Sequence, residues 1–255
     1  MNEPAGPERQ FPANLVDDTS ILGVKKIMEI LMYLPTDVEG LCIGDIKLFK
    51  ENDFIKHELL IGPVVLRDDA RPIGWCVTER GWRGDSKPSS RSSSQSPRPQ
   101  PVQGSSMLSD ATVQSPSNRH EADDRIYIRS TQSIAEVDAN IDACSWQCTF
   151  KPKPGVAHTF IILILICVST NKFSPDYTLL ERNCYFYAGV VIKLLHMIVG
   201  GEIEYSTRIN SGNNSIPIVT SDEIAEAAIK IKGIYDEEYE KFMAVVSLCC
   251  LFLQC

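Results

Sequence analysis

Long apolar runs are scarce in this chain of 255 residues. The two most apolar stretches, residues 160–168 and 242–255, are shorter than the roughly 20 residues that a membrane-spanning helix needs. The first stretch therefore predicts an element buried in a protein core. The second leaves two alternatives open: a core helix packed on the domain, or a lipidated or docked tail that makes peripheral contact with a membrane.

Positive charge is also in short supply. The formal net charge is -8 at pH 7, and lysine and arginine do not cluster into a basic stripe along the chain. Binding to a phosphate backbone depends on such a stripe, so nucleic acid is not expected among the partners.

Neither a secretory leader nor a metal site is expected from the sequence. Residues 1–18 are polar and acidic, whereas a leader would be basic and then apolar. The nine cysteines are an odd number and lie scattered along the chain, which favours free thiols in a reducing, cytoplasmic compartment. Cys144 and Cys148 have no second pair of ligands nearby, so neither a zinc site nor another cofactor is expected.

Aliphatic residues almost disappear between residues 83 and 124, where serine, proline and glutamine dominate. Such a segment buries too little surface to offset the entropy lost on ordering, so a disordered insert is predicted over 83–124. Because a strand-like pattern resumes at 124–131, the insert is interpreted as a long loop between two strands of a single domain that spans residues 1–255. A linker between two domains is the alternative.

The remaining sequence predicts an α+β fold, in which a small antiparallel sheet is covered by helices. Thr220 and Glu223 have the spacing of a capping box, Pro35 ends the first predicted helix, and Gly200–Gly201 ends the third. The predicted strands cover residues 42–50, 55–66, 72–79 and 124–131, and the predicted helices cover 19–34, 157–170, 184–199 and a last segment that begins at Thr220.

A cysteine at the start of the third predicted helix is the main candidate for chemistry. Cys184 follows Asn183 directly. The partial positive charge at a helix N-terminus favours the thiolate form of a cysteine, which can attack a carbonyl carbon. The backbone N–H groups of the first helical turn can stabilise the oxyanion that forms.

Further motifs precede this pair in a recognisable order. Gly44–Asp45 opens a predicted strand, His57 begins the next one, and Tyr177 lies shortly before Asn183–Cys184. In this order the motifs resemble the lecithin retinol acyltransferase family, which has a circularly permuted papain-like fold. The chain is also similar to uncharacterised fungal proteins that carry a His-Glu strand and an Asn-Cys-Tyr helix.

The resemblance implies an acyl-transfer enzyme, a hydrolase or acyltransferase that acts on a lipid or acyl substrate through a thioester. It implies Cys184 as the nucleophile and His57 as the general base, with Asn183, Tyr177, Gly44 and Asp45 in supporting positions. The chain departs from the family where Tyr-Phe-Tyr at 185–187 replaces Glu-His-Phe. A second histidine on the following strand is also missing, so the group that orients the imidazole is not identified.

A simpler interpretation competes with catalysis. Cys184 can be an inert thiol in an apolar helix, Asn183 a helix cap, and His57 a strand-edge residue paired with a nearby carboxylate. His158 is expected at a helix start, and His196 lies too far along the helix to reach the Cys184 sulfur. The alternative function is therefore a non-catalytic binding or scaffold protein of the same fold.

Overall fold

Strands and helices both occur in the part of the chain that the computed structural model describes, residues 22–23, 40–51, 58–67, 69–82, 120–130, 144–177, 184–206 and 221–253. The strands are β1 (Leu22–Gly23), β2 (Leu41–Ile43), β3 (Ile46–Glu51), β4 (Glu58–Leu66), β5 (Asp69–Trp82), β6 (His120–Ser130), β7 (Cys144–Pro152), β8 (Asp176–Tyr177) and β9 (Gly201–Tyr205). The helices are α1 (Thr159–Phe173), α2 (Cys184–Val199) and α3 (Ser221–Leu253). This combination confirms the predicted α+β class.

An antiparallel sheet organises these strands. They follow the order β1-β6-β5-β4-β3-β7-β9, with β2 paired to β4 and β8 paired to β6. Strands β3 to β6 form a meander, and β7 then returns to the free side of β3. β5 and β6 flank residues 83–119, which lie outside the described part of the chain, and pair with each other up to Trp82 and Ala122.

Helices cover one face of the sheet in two layers. α1 and α2 pack on the strands, and α3 packs on both of these helices. The apolar stretch 160–168 lies within α1, where every residue from Thr159 to Asn171 is buried. A helix that is apolar on all sides needs cover on all sides, and the strands, α2 and α3 supply that cover. None of the described helices is long and apolar enough to span a membrane.

The first predicted helix is wrong where it can be compared with the structure. Of residues 19–34 the structure describes Leu22 and Gly23, which form β1 and pair with Ile126 and Arg125 of β6. The edge of β6 supplies backbone hydrogen-bond partners at these positions, and glycine is a poor helix former. The other residues of 19–34 lie outside the described part of the chain.

The other predicted elements are present, most of them with shifted boundaries. α2 has the predicted bounds, and α1 begins and ends slightly later than predicted. The strand predicted at 42–50 is interrupted at Gly44–Asp45, where the Gly44 N–H donates to the Pro63 carbonyl at 2.8 Å. β6 begins at His120, inside the predicted insert, because residues 122–124 pair with β5 and residues 120–121 pair with β8. The prediction omitted β7, β8 and β9.

Candidate active site

Cys184 is the first residue of α2, and its side chain is buried, with 3% of the residue exposed. The turn that begins with Cys184 contacts two different strands. The Lys50 ammonium of β3 lies 4.6 Å from the centre of the Tyr185 ring, and the Thr78 hydroxyl of β5 lies 2.8 Å from the Tyr187 hydroxyl. Because β4 lies between β3 and β5, the first turn of α2 crosses over β4.

The register of the sheet shows which part of β4 this turn crosses. Lys50 pairs with Glu58, and Thr78 pairs with Leu60, so the crossing lies at the start of β4. Leu59 and Ile61 belong to an apolar cluster separate from the main core. Since side chains alternate along a strand, Glu58 and Leu60 point to the face that the helices cover.

The electrostatics agree with this arrangement. Burial, the neighbouring Cys184 thiol and the Glu58 carboxylate together raise the pKa of Tyr185 to about 12. Burial and the same carboxylate raise the pKa of Cys148, on β7, to about 11. Glu58 therefore acts on the first turn of α2 and on a second buried thiol, while Tyr185 stays a neutral hydrogen-bond donor at neutral pH.

The side chains of three predicted site residues lie outside the described part of the structure. His57 and Asn183, which precede Glu58 and Cys184 in the sequence, lie outside the described residues. The backbone of Tyr177 ends β8 and pairs with His120 of β6, but its side chain is not among those described.

Gly44 and Asp45 lie away from Cys184. They separate β2 from β3, and Asp45 precedes Lys50 by five residues, or about 16 Å of extended strand. The exposed Asp45 is instead near Lys151, whose pKa is raised first by Glu204 and to a smaller extent by Asp45. Gly44 has a packing role, since a Cβ there would meet the Pro63 ring at 2.9 Å.

A buried polar cluster at the same end of the sheet was not predicted from the sequence. Its centre is a fully buried ion pair between Arg80 of β5 and Asp124 of β6, with the Arg80 Nε and Nη2 atoms 2.6 and 2.7 Å from the two carboxylate oxygens. The Asn171 amide donates to Asp124 at 3.0 Å, and the Arg80 Nη1 atom donates to the Ser174 hydroxyl at 3.3 Å. We call these four residues the Arg80 cluster.

Tyr187 connects this cluster to α2. The Arg80 guanidinium carbon lies 5.0 Å from the centre of the Tyr187 ring. Burial raises the pKa of Tyr187 well above its ordinary value, so the hydroxyl stays protonated. The sequence signal was faint: Arg80 and Asp124 have opposite charges, but only the register of β5 and β6 shows that they pair.

Comparisons with protein-family models, with curated proteins and with solved structures found no match to this chain. Function is therefore inferred from the residues themselves. Among the described residues, no group of three histidine, cysteine or acidic side chains is placed to hold a metal ion.

Proposed function

We propose that the chain is a cysteine-dependent acyl-transfer enzyme of permuted papain-like architecture, with Cys184 as the nucleophile and His57 as the general base. One observation carries the proposal: the first turn of α2 crosses the start of β4. Tyr185 and Glu58 interact across this crossing, and each is covalently bonded to one of the two proposed catalytic residues.

The proposed reaction has two steps. His57 takes the thiol proton, and the Cys184 sulfur attacks the carbonyl carbon of an ester or amide, with N–H groups of the α2 first turn stabilising the oxyanion. The C–O or C–N bond then breaks, the leaving group takes the proton from His57, and a thioester remains on Cys184. Water or an acceptor hydroxyl attacks the thioester, gives its proton to His57 and releases the sulfur.

The supporting residues have different proposed roles. Asn183 and Tyr177 are proposed to shape the surroundings of Cys184, whereas Gly44 and Asp45 shape the start of β3 at the other end of that strand. An acyl or lipid substrate also agrees with peripheral membrane contact by the C-terminal part of α3. Phe242 of that helix is buried in the core, but Leu248 is 55% exposed.

Thiol labelling tests the nucleophile. The protein is treated with iodoacetamide at neutral pH, and the modified cysteines are located by mass spectrometry as a function of time. Cys42 is the internal reference, since it is more exposed than the buried Cys184 and exposure alone would make it react faster. We expect Cys184 to react first. Slow labelling of Cys184, no faster than that of Cys42, would contradict the proposal.

Turnover of a chromogenic ester tests the base and the intermediate. We expect Cys184→Ser and His57→Gln to abolish turnover, Cys42→Ser to retain it, and the acylated protein to carry its added mass on Cys184. Glu58→Gln is measured in parallel, because Glu58 faces α2. Activity that survives in His57→Gln but is lost in Glu58→Gln would assign the base to Glu58 and overturn the role of His57.

The alternative is a non-catalytic binding or scaffold protein of the same fold. The burial of Cys184 favours it, because most buried cysteines on apolar helices are inert. In that case no acyl-enzyme forms with any ester tested, and Cys184→Ser lowers the stability, because a hydroxyl replaces a buried apolar thiol.

A further inference from the structure

The first turn of α2 is held at two points, on opposite sides of Cys184. Tyr185 lies against Lys50 of β3, and Tyr187 lies against Thr78 of β5. Residues two positions apart on a helix point in different directions, so these two contacts restrain the turn from both sides. Neither contact involves a loop, because β3 and β5 lie inside the sheet.

The contact made by Tyr187 is the more rigid of the two. Tyr187 is 1% exposed, whereas the Tyr185 side chain is only partly buried. The Tyr187 hydroxyl is 2.8 Å from the Thr78 hydroxyl, which in turn lies 3.7 Å from the Cys167 sulfur of α1. Hydroxyl groups of α2 and β5 and a thiol of α1 thus form one buried chain of polar contacts.

The Arg80 cluster limits the movement of the Tyr187 ring. The guanidinium beside the ring is held by two hydrogen bonds to Asp124 and one to Ser174, and Asp124 is also held by Asn171. A group surrounded by satisfied, fully buried partners has little freedom to shift. The ring position, and with it the start of α2, is therefore fixed by residues of β5, β6 and the end of α1.

We infer that Tyr187 is a positioning residue, whose hydroxyl, through Thr78, fixes the place of Cys184 over the start of β4. The effect of this anchoring on catalysis rests on the proposed acyl-transfer function, but the anchoring itself does not. A phenylalanine would keep the ring and its contact with Arg80, so its effect measures the contribution of the hydroxyl alone. A catalytic group must be held in a precise position, and the hydrogen bond between Tyr187 and Thr78 serves to hold Cys184 in this way.

The test compares Tyr187→Phe with Tyr235→Phe, which removes the hydroxyl of a buried tyrosine in α3. Opening of the α2 first turn is followed by mass spectrometry as amide hydrogen exchange at residues 188–191, whose N–H groups donate to the carbonyl groups of that turn. The constants kcat and KM are measured for a chromogenic ester. We expect Tyr187→Phe to speed exchange of that turn about tenfold, as the loss of one hydrogen bond allows, and to lower kcat with little change in KM. Tyr235→Phe should change neither.

Thr78 provides a second route to the same hydrogen bond. Thr78→Val should reproduce the effects of Tyr187→Phe, whereas Thr78→Ser keeps a hydroxyl and should behave like the wild type. The exchange rate and kcat of the double variant Thr78→Val/Tyr187→Phe should be no worse than those of either single variant. Unchanged exchange in both Tyr187→Phe and Thr78→Val would overturn the inference. Faster exchange in a protein that never forms an acyl-enzyme would uphold the anchoring and refute the proposed function alone.

Discussion

Gly201 occupies a position that no other residue fits. Its φ of 122° belongs to the left-handed region that favours glycine, and a Cβ would lie 2.1 Å from the Lys151 carbonyl oxygen. The conformation reverses the chain after α2, so that β9 pairs with β7 and Gly201 lies opposite Pro152. The backbone that follows the candidate catalytic helix thus depends on the absence of a side chain.

Gly201→Ala is expected to destabilise the protein by about 3 kcal/mol or more, because backbone strain and a backbone clash add together. Gly200→Ala is the matched control. Gly200 also has a positive φ, of 71°, but the atom nearest to its added Cβ is 3.8 Å away, so only the strain of about 1–2 kcal/mol applies. Urea unfolding measures both, and equal losses would show that the clash is relieved by a shift of the chain.

Single residues differ in how far the sequence predicts them. Gly200 and Gly201 were expected to end α2, since glycine after an apolar helical run is a local signal. The requirement for glycine at 201 was not visible, because it comes from Lys151 on a distant strand. For the same reason Cys184 could be placed at a helix start, whereas Lys50 and Thr78, which contact Tyr185 and Tyr187 of the same turn, could not be identified.

Gly189 of α2 packs against the side chain of Ile224 of α3. A Cβ at this position would lie 2.7 Å from the terminal Cδ1 of Ile224. Glycine inside a helix usually costs stability, so its presence here is explained by the packing of α3.

Gly189→Ala is expected to destabilise the protein by about 1–3 kcal/mol through overpacking, in spite of the better helix propensity of alanine. Ile224→Val removes the clashing methyl group and should rescue most of the loss in the double variant. Gly233→Ala, in α3 with open space around it, should instead stabilise by about 0.5–1 kcal/mol. A stabilising Gly189→Ala would show that the end of the Ile224 side chain moves aside without cost. Thermal and urea unfolding of the wild type and these variants decide.

An ion pair joins α3 to the last turn of α1. The Lys172 ammonium lies 2.7 Å from a Glu238 carboxylate oxygen. Burial opposes ionisation of Glu238, but hydrogen bonds from Lys172 and Lys241 outweigh it and lower its pKa from the ordinary value of 4.5. The ionised form is therefore favoured in the folded state.

This pair predicts a dependence of stability on pH. A carboxyl with a lowered folded pKa stabilises the protein above its unfolded pKa, and the effect is lost as the pH falls through the folded pKa. The difference in thermal midpoint between the wild type and Glu238→Gln should therefore be largest at neutral pH and shrink below pH 4.5. Asp236→Asn, which removes an exposed pair within α3, should give a smaller difference. A difference that grows in acid would contradict the assignment.

Helices and strands were predictable to different extents. α2 has its predicted bounds because its apolar residues and the glycines after it are local signals. β7 and β9 escaped prediction because exposed residues such as Lys151, Glu202 and Glu204 give them little apolar alternation, and their pairing with each other makes them strands. β1 was mistaken for helix because the edge of β6 decides its conformation.

For the molecule as a whole, the Arg80 cluster connects the layers of the fold. Arg80 lies on β5, Asp124 on β6, and Asn171 and Ser174 at the end of α1, while Tyr187 adds α2. The ion pair also joins β5 to β6 near the strand ends that flank residues 83–119. The α+β class and the helix cover followed from apolar patterns in the sequence, but this junction depends on contacts between residues at least 44 positions apart.

Breaking the buried ion pair should affect the stability of the entire described unit. Asp124→Asn leaves the Arg80 charge buried without a counter-charge and is expected to cost about 3–5 kcal/mol in urea unfolding. Asp123→Asn is the control one residue away, since Asp123 pairs with Arg125 at 2.7 Å on a partly exposed surface and should cost only about 0–1 kcal/mol. The double variant Arg80→Met/Asp124→Leu removes both charges and should recover part of the loss. If Asp124→Asn costs no more than Asp123→Asn, water reaches Arg80 and the cluster does not hold the layers together.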